Sequence, residues 1–349
     1  MALNAQGDGV VIVDQTLLPW EERFLTLRDE YEVYEAIARL RVRGAPAIGI
    51  AAAYGLYVAL RRVLERDGQG TGPDVDAEFR RIRDYLCSAR PTAVNLSAAL
   101  DRMTDCYMSV AGLGISGILS ALRTEADAVK NDDMAMCRSI AEYGAGLITR
   151  PDMGILTHCN AGHYAVSRYG TALAPIYLAH SRGLAPRVYA DETRPLLQGA
   201  RITVLELMKA GVDVTLQCDS MAGSLMASGK VDMVLAGCDR VAANGDTANK
   251  IGTSVLAVLA SYYGIPFYIL GPTSSIDPSV PDGTGIPVEQ RSPDEVTDLY
   301  FERRMAPAGV KVYNPAFDVT PAALISGIVT ERGIFRPPFD FSNLKPDIQ

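Results

Sequence analysis

From Gly154 onward the chain alternates short apolar runs with helix-length segments, and this alternation limits the fold more than any other feature. The runs are Gly154–His158, Arg187–Ala190, Val212–Gln217, Met233–Gly237, Phe267–Leu270 and Val310–Tyr313. Between most of them lie Ala165–Arg182, Gln198–Ala210, Ser220–Ser228 and Asn249–Tyr263, each long enough for a helix. Strands linked through helices need crossover connections, so the sheet they build is parallel, with helices on both faces. The runs are continuously apolar, as strands buried on both sides require. The fold class expected for residues 151–349 is therefore α/β, a doubly wound parallel sheet. Such sheets bind ligands at the carboxyl ends of their strands. No GxGxxG follows the first run, so a dinucleotide cofactor is not expected.

Residues 1–150 read differently. Val10–Val13 and Phe24–Leu27 are short strands, and helical patterns cover Glu30–Leu40, Asp76–Ser88, Ala93–Ala111 and Thr124–Ile148. Ile50–Leu64 is apolar nearly all round, which predicts a buried helix with Pro46 in its first turn. Asp67–Pro73 is a Gly-rich loop. This part is expected to be a smaller, mainly helical N-terminal domain with a short antiparallel sheet.

Charge and composition remove several functions. Against 41 Asp and Glu stand 33 Lys and Arg, a net charge of −8 that argues against a nucleic-acid partner. No run of about 18 uninterrupted apolar residues is present, so no membrane span is expected. The start, MALNAQGDGVVIVDQ, lacks a basic region followed by an apolar stretch, and the 6 cysteines form no CxxC pair. A cytoplasmic protein is expected. The histidines are His158, His163 and His180, and their spacing fits neither a zinc site nor a Ser–His–Asp hydrolase, so no metal is expected.

Each run is followed by small, polar or acidic residues, which locates a site before naming a reaction. After the first comes Thr157-His158-Cys159-Asn160-Ala161-Gly162. Cys159, between strand and helix, is a candidate nucleophile or thiol acid/base, because helix N-terminal N–H groups lower a thiol pKa; the alternative is a small buried hydrophobe. Asp239 follows Val234-Leu235-Ala236-Gly237-Cys238, a lead-in that predicts a poorly hydrated carboxyl suited to general-acid work. Its alternatives are a helix cap or a partner of Arg240. Arg43-Gly44-Ala45 precedes a helix whose N-terminal N–H groups favour a phosphate, with Gly44 letting the backbone approach closely. Arg90, and Lys250 after Asn249, are further cations beside helix starts, each taken singly more readily surface charge than a ligand contact. Gln198 suits either a sugar hydroxyl or the cap of the helix after it.

In order along the chain, Arg43-Gly44-Ala45-Pro46-Ala47-Ile48-Gly49, Arg90-Pro91-Thr92, Thr157-His158-Cys159-Asn160-Ala161-Gly162, Ala190-Asp191-Glu192-Thr193-Arg194-Pro195 through Arg201, Gly237-Cys238-Asp239-Arg240, Asn249-Lys250-Ile251-Gly252-Thr253 and Asn314-Pro315-Ala316-Phe317-Asp318 resemble the methylthioribose-1-phosphate isomerases. The resemblance covers nearly the whole chain. It implies a Rossmann-like C-terminal domain, a homodimer, and conversion of a 5-methylthioribose 1-phosphate to its ribulose isomer in methionine salvage, without metal, nucleotide or other cofactor. On it, Cys159 matches the catalytic cysteine and Asp239 the proton donor. Arg43, Gly44, Ala45, Arg90, Gln198, Asn249 and Lys250 match substrate-binding positions. Cys238 departs from the pattern, where a smaller alanine is expected. The related activities are isomerisation of 5-deoxyribose 1-phosphate or ribose 1,5-bisphosphate. Non-catalytic relatives serve as regulatory subunits of a translation-factor exchange complex.

Overall fold

The structure, a computed structural model, describes residues 1–66, 74–90 and 94–344. The expected loop Asp67–Pro73 and the residues Pro91, Thr92 and Ala93 lie outside the described residues. The chain forms two compact units, Met1–Ala135 with Tyr164–Arg168, and Met136–His163 with the residues from Tyr169 onward. This is a different cut from the one suggested by the change of pattern after residue 150.

In the first unit, β1 (Ala2–Leu3), β2 (Val10–Val13) and β3 (Phe24–Leu27) make an antiparallel sheet. Then come α1 (Glu30–Ala38), α2 (Ala45–Arg66), α3 (Val75–Cys87), α4 (Val94–Val110) and α5 (Ile115–Ala145), the last running on past this unit. Asp29 and Asp74 cap α1 and α3 by accepting first-turn N–H groups, which no helical carbonyl reaches. α2 is long and apolar enough to cross a membrane, but most of it is buried, packed as the core helix of its unit. Ile48, Tyr54, Leu56 and Leu60 on it meet Val33, Ile37, Phe79, Leu96 and Leu100 in one cluster.

The second unit is built on β4 (Gly154–His158), β5 (Arg187–Asp191), β6 (Asp213–Gln217), β7 (Met233–Ala236), β10 (Phe267–Leu270) and β13 (Gly327–Thr330), all parallel; β14 (Gly333–Phe335) closes one edge antiparallel. The helices α6 (Ala174–Ser181), α7 (Val204–Lys209), α8 (Ala222–Ala227) and α9 (Thr253–Tyr263) connect them. Across the sheet the six parallel strands stand in the order β13-β10-β7-β4-β5-β6, so the winding reverses between β4 and β7. Alternate side chains of one strand enter different cores. Ile155, Met233, Leu235 and Leu270 join the cluster containing Ile176 and Leu207, whereas Leu156, Val234, Ala236 and Ile269 join that of Leu256 and Ala257. That is why the runs carry no polar alternation.

A second sheet, in the order β11-β8-β9-β12, joins β8 (Arg240–Ala242), β9 (Thr247–Lys250), β11 (Ile276–Asp277) and β12 (Phe317–Thr320). Three expectations are corrected by it and its neighbours. Asn249 and Lys250 end a strand instead of starting a helix, and α9 begins at Thr253. Val310–Tyr313 is irregular, with Tyr313 83% and Val310 46% exposed, so it buries nothing against the sheet. The sixth parallel strand is Gly327–Thr330, with all four residues buried. The segment read as a helix over Ala165–Arg182 holds a shorter one, α6 from Ala174, whereas Gln198–Ala210 and Ser220–Ser228 are helical through most of their length, a π-helical stretch at Gly199–Thr203 running into α7 and a 3-10 turn at Asp219–Met221 running into α8.

Candidate active site

Cys159 leaves β4 with φ of 63°, a left-handed conformation that costs an ordinary residue energy and persists only where neighbours over-determine it. They do so here on both sides. The Cys159 N–H donates to Thr193 Oγ1 at 2.9 Å, and its carbonyl accepts from Thr203 Oγ1 at 2.7 Å. Asn160 donates to Thr203 Oγ1 at 3.0 Å and to the buried Glu206 carboxylate, which also takes the His163 N–H at 2.9 Å. Thr193 is itself left-handed at φ 64°, and its N–H and that of Arg194 donate to the two oxygens of Asp219, both at 2.8 Å. The expectation of a helix N-terminus at Cys159 is therefore corrected. The next α-helix starts only at Ala174, and hydroxyl anchors hold the turn instead.

Asp239 leaves the neighbouring strand β7, paired to β4 with His158 opposite Ala236. Its N–H donates to the Ala248 carbonyl at 2.9 Å. The antiparallel β8–β9 register pairs Arg240 with Ala248, and continued by one residue it sets Asp239 level with Asn249. Asp239 is exposed in this chain, which corrects the expectation of a poorly hydrated carboxyl. The apolar lead-in ends at Cys238, which takes the sheltered position, and burial pushes its thiol up to about 12. The helix-cap reading of Asp239 is not found, since a strand follows it; Arg240 lies 3.5 Å from Asp277.

Asn249 and Lys250 end the same ribbon, both buried. Asn249 donates to Thr253 Oγ1 at 3.0 Å; Lys250 donates to the Ala316 carbonyl at 2.9 Å, its Nζ 4.6 Å from the centre of the Phe317 ring. Gln198 is buried and caps nothing, and its Oε1 has no hydrogen-bond partner among the described residues. A buried acceptor in that state suits a donor from outside, such as a sugar hydroxyl. Thus the second unit gathers Cys159, Asp239, Asn249 and Lys250 around one ribbon and one sheet edge.

Arg43, Gly44 and Ala45 belong to the first unit. Gly44 has φ of 95°, and a Cβ there would lie 2.3 Å from the Ala165 carbonyl oxygen, so only glycine fits. Its carbonyl accepts the Ile48 N–H, starting α2, as expected for a turn at a helix N-terminus. Arg43 and Arg90 are half-buried, Arg90 just beyond α3.

Sequence reasoning assigned no role to His158, yet its ring is a buried junction of the site. Nδ1 lies 3.0 Å from Asp191 Oδ2 and Nε2 lies 2.8 Å from the Ile251 carbonyl. Gln217 donates to the other Asp191 oxygen at 2.9 Å. The signal was present: a histidine at the last position of one apolar run and an aspartate directly after the next, where an unpaired polar group is too costly to bury. Ligand atoms of His158, Asp191 and Asp219 lie within 4.8 Å of one another, the spacing of a metal site. Each is already engaged in the hydrogen bonds just described, so a cation would have to displace them.

The model of the initiation factor 2 subunit family matches residues 41–337. A methylthioribose-1-phosphate isomerase of Parabacteroides distasonis is 59% identical over 335 residues, covering 96% of this chain and 98% of that one. A 5-deoxyribose 1-phosphate isomerase of Petrotoga mobilis is 56% identical over 337 residues, covering 97% and 95%. The crystal structure of 5-methylthioribose 1-phosphate isomerase from Pyrococcus horikoshii superposes with a TM-score of 0.88 at 41% identity, over 95% of this chain and 91% of that one.

Proposed function

The chain belongs to the initiation factor 2 subunit family, and from that premise we propose that it converts 5-methylthioribose 1-phosphate to 5-methylthioribulose 1-phosphate, an aldose–ketose isomerisation of methionine salvage. It is a sugar-phosphate isomerase. The observation that carries the finer reading is identity, over almost the full length of both chains, with isomerases named for that substrate.

Phosphate on the anomeric oxygen of an aldose blocks spontaneous ring opening. Asp239 protonates the ring oxygen as the bond from C1 to that oxygen breaks; hydrogen then moves from C2 to C1, with Cys159 either relaying the proton or stabilising a hydride shift, and the 2-hydroxyl proton returns to the Asp239 carboxylate as the ketone forms. The left-handed turn at Cys159 and the adjacency of β4 and β7 support this pair. Gln198, Asn249 and Lys250 bind the sugar, and Arg43, Gly44, Ala45 and Arg90 serve the phosphate in this reading. The enzyme acts as a homodimer without metal or nucleotide.

The relatives named for 5-deoxyribose 1-phosphate favour a second substrate. Neither a methylthio nor a hydrogen substituent at C5 is charged, so one pocket can take both. Purified protein is assayed with methylthioribose 1-phosphate, 5-deoxyribose 1-phosphate and ribose 1,5-bisphosphate, each deuterated at C2. Turnover of the first two and not of the bisphosphate is expected, and inertness toward methylthioribose 1-phosphate overturns the reading. Label kept at C1 identifies a hydride shift, and its loss to water identifies an enolate.

A further inference from the structure

The buried His158 ring has two neighbours that only accept. The Ile251 carbonyl requires a proton on Nε2, and the contact of Nδ1 with Asp191 Oδ2 holds a second one between ring and carboxylate. Both residues are 1% exposed and Gln217 donates to the other carboxylate oxygen, so a ring protonated on both nitrogens beside an ionised Asp191 balances its charge inside the protein. The ring is gripped on its far edge as well. A Cβ on Gly252 would lie 2.8 Å from His158 Cε1, and the Gly252 φ of 104° admits glycine there. The Gly252 N–H is fixed to Asp318 Oδ2 at 2.8 Å. His158 therefore stands between two elements of the proposed chemistry: Cys159 is the next residue on one side, and Lys250 immediately precedes Ile251 on the other.

We propose that His158, doubly protonated and held by Asp191, is a positioning residue that fixes the Cys159 turn against the strand end carrying Asn249 and Lys250. The proposal rests on the isomerase reading given above. It separates His158 from the acid–base pair, because the ring spends both nitrogens on protein acceptors and keeps none for substrate.

The groups facing the ring are Asp191 on β5, Asp219 after β6 with Oδ1 at 3.9 Å, and, on the β9 side, the Ile251 carbonyl with Lys250 and Asp318 flanking it. Burial alone would lower the ring's pKa. The hydrogen bond and charge of Asp191, aided by Asp219, outweigh this and raise it. A raised histidine pKa means the ring keeps both protons to higher pH than a free imidazole and the clamp is released as pH rises through that value, while at the acid end it is lost as the Asp191 carboxyl, pushed up by burial, takes a proton. Removing the carboxylate must bring the release to lower pH.

The test compares the wild-type chain, His158→Gln and Asp191→Asn. In His158→Gln, kcat is expected to fall about tenfold or more at every pH, the cost of a misplaced reacting group. In Asp191→Asn, the alkaline limb of kcat/KM is expected to move down by about one pH unit or more. A nitrogen-15 spectrum of the histidine rings, only three in the chain, is expected to show both His158 nitrogens protonated at pH 7. Peptide-resolved alkylation of Cys159 by iodoacetamide is expected to change about fivefold or more in His158→Gln. A singly protonated His158 ring at pH 7, a wild-type pH profile in Asp191→Asn, or wild-type kcat in His158→Gln overturns the proposal. If the wild-type chain does not isomerise the sugar phosphate, the activity reading fails by itself, and the ring spectrum and alkylation, which need no turnover, still decide the clamp.

Discussion

β4 and β7 lie side by side, and each ends in a turn that carries a cysteine and a member of the proposed acid–base pair, which at the first turn are one residue, Cys159, and at the second are Cys238 and Asp239. The two turns are held in place by different means. At Cys159 the backbone is forced into the left-handed region, and Thr193 and Thr203 bond its N–H and carbonyl. At Cys238 the sulfur is packed inward, so close to Gly271 that a Cβ there would lie 2.2 Å from Sγ, and the proposed acid is the exposed Asp239 one step later. One turn uses hydrogen bonds to present a thiol, and the other uses packing to hide one. The contrast teaches that two cysteines in like positions after neighbouring strands meet different surroundings, which the anchors around each decide.

Substituting the reactive groups is the strongest way to break this contrast. Cys159→Ser and Asp239→Asn are each expected to lower kcat about a hundredfold or more, the usual loss when an acid or base is removed. Both variants should fold, since neither side chain carries an apolar core. Steady-state kinetics on methylthioribose 1-phosphate check this. Near-normal turnover in either variant would take that residue out of the mechanism, and equal losses in Cys159→Ser and a Cys238 variant would erase the distinction between the turns.

A smaller effect is expected one shell out. Thr193→Val keeps the shape of the side chain but removes the hydroxyl that accepts the Cys159 N–H. A buried donor left unpaired costs about 1–3 kcal/mol, and a relaxed turn moves the thiol, so kcat should fall about tenfold while thermal stability drops modestly. Thr193→Ser restores the acceptor and should recover most of the rate. If Val and Ser behave alike, the hydroxyl does not hold the turn.

How much of this was legible in the sequence follows from the same physics. Five of the six parallel strands, the buried α2 and the glycine before it were readable because burial on two faces and a positive φ leave compositional marks. Val310–Tyr313 misled because a short apolar run carries no record of whether anything covers it. The β8–β9 ribbon was missed because its strands are short, polar in Thr247-Ala248-Asn249-Lys250, and owe their shape to pairing with β11 on one side and β12 on the other. Cys159 and Asp239 were singled out as candidates by their place after strands. Their surroundings were not, since Thr193, Thr203, Asp191 and Ile251 come from other segments and their approach is a property of the fold alone.

The mildest substitution sharpens the contrast from the other side. Cys238 stands where a smaller alanine is expected, directly before Asp239. Its thiol is pushed up to about 12, chiefly by burial and then by the charge of Asp239, so it stays protonated across any working pH. A protonated, sheltered thiol is neither nucleophile nor base. Cys238→Ala removes one buried sulfur and leaves the backbone of the turn, including the Asp239 N–H bond to Ala248, as it was. Stability should fall by about 1 kcal/mol, the cost of a small cavity, with kcat within about twofold of wild type. Iodoacetamide at neutral pH should label Cys159 well ahead of Cys238 in the native protein. A large loss of kcat in Cys238→Ala would mean that the sulfur, and not the ribbon register, holds Asp239 in place, and the two turns would then depend on side-chain anchors alike.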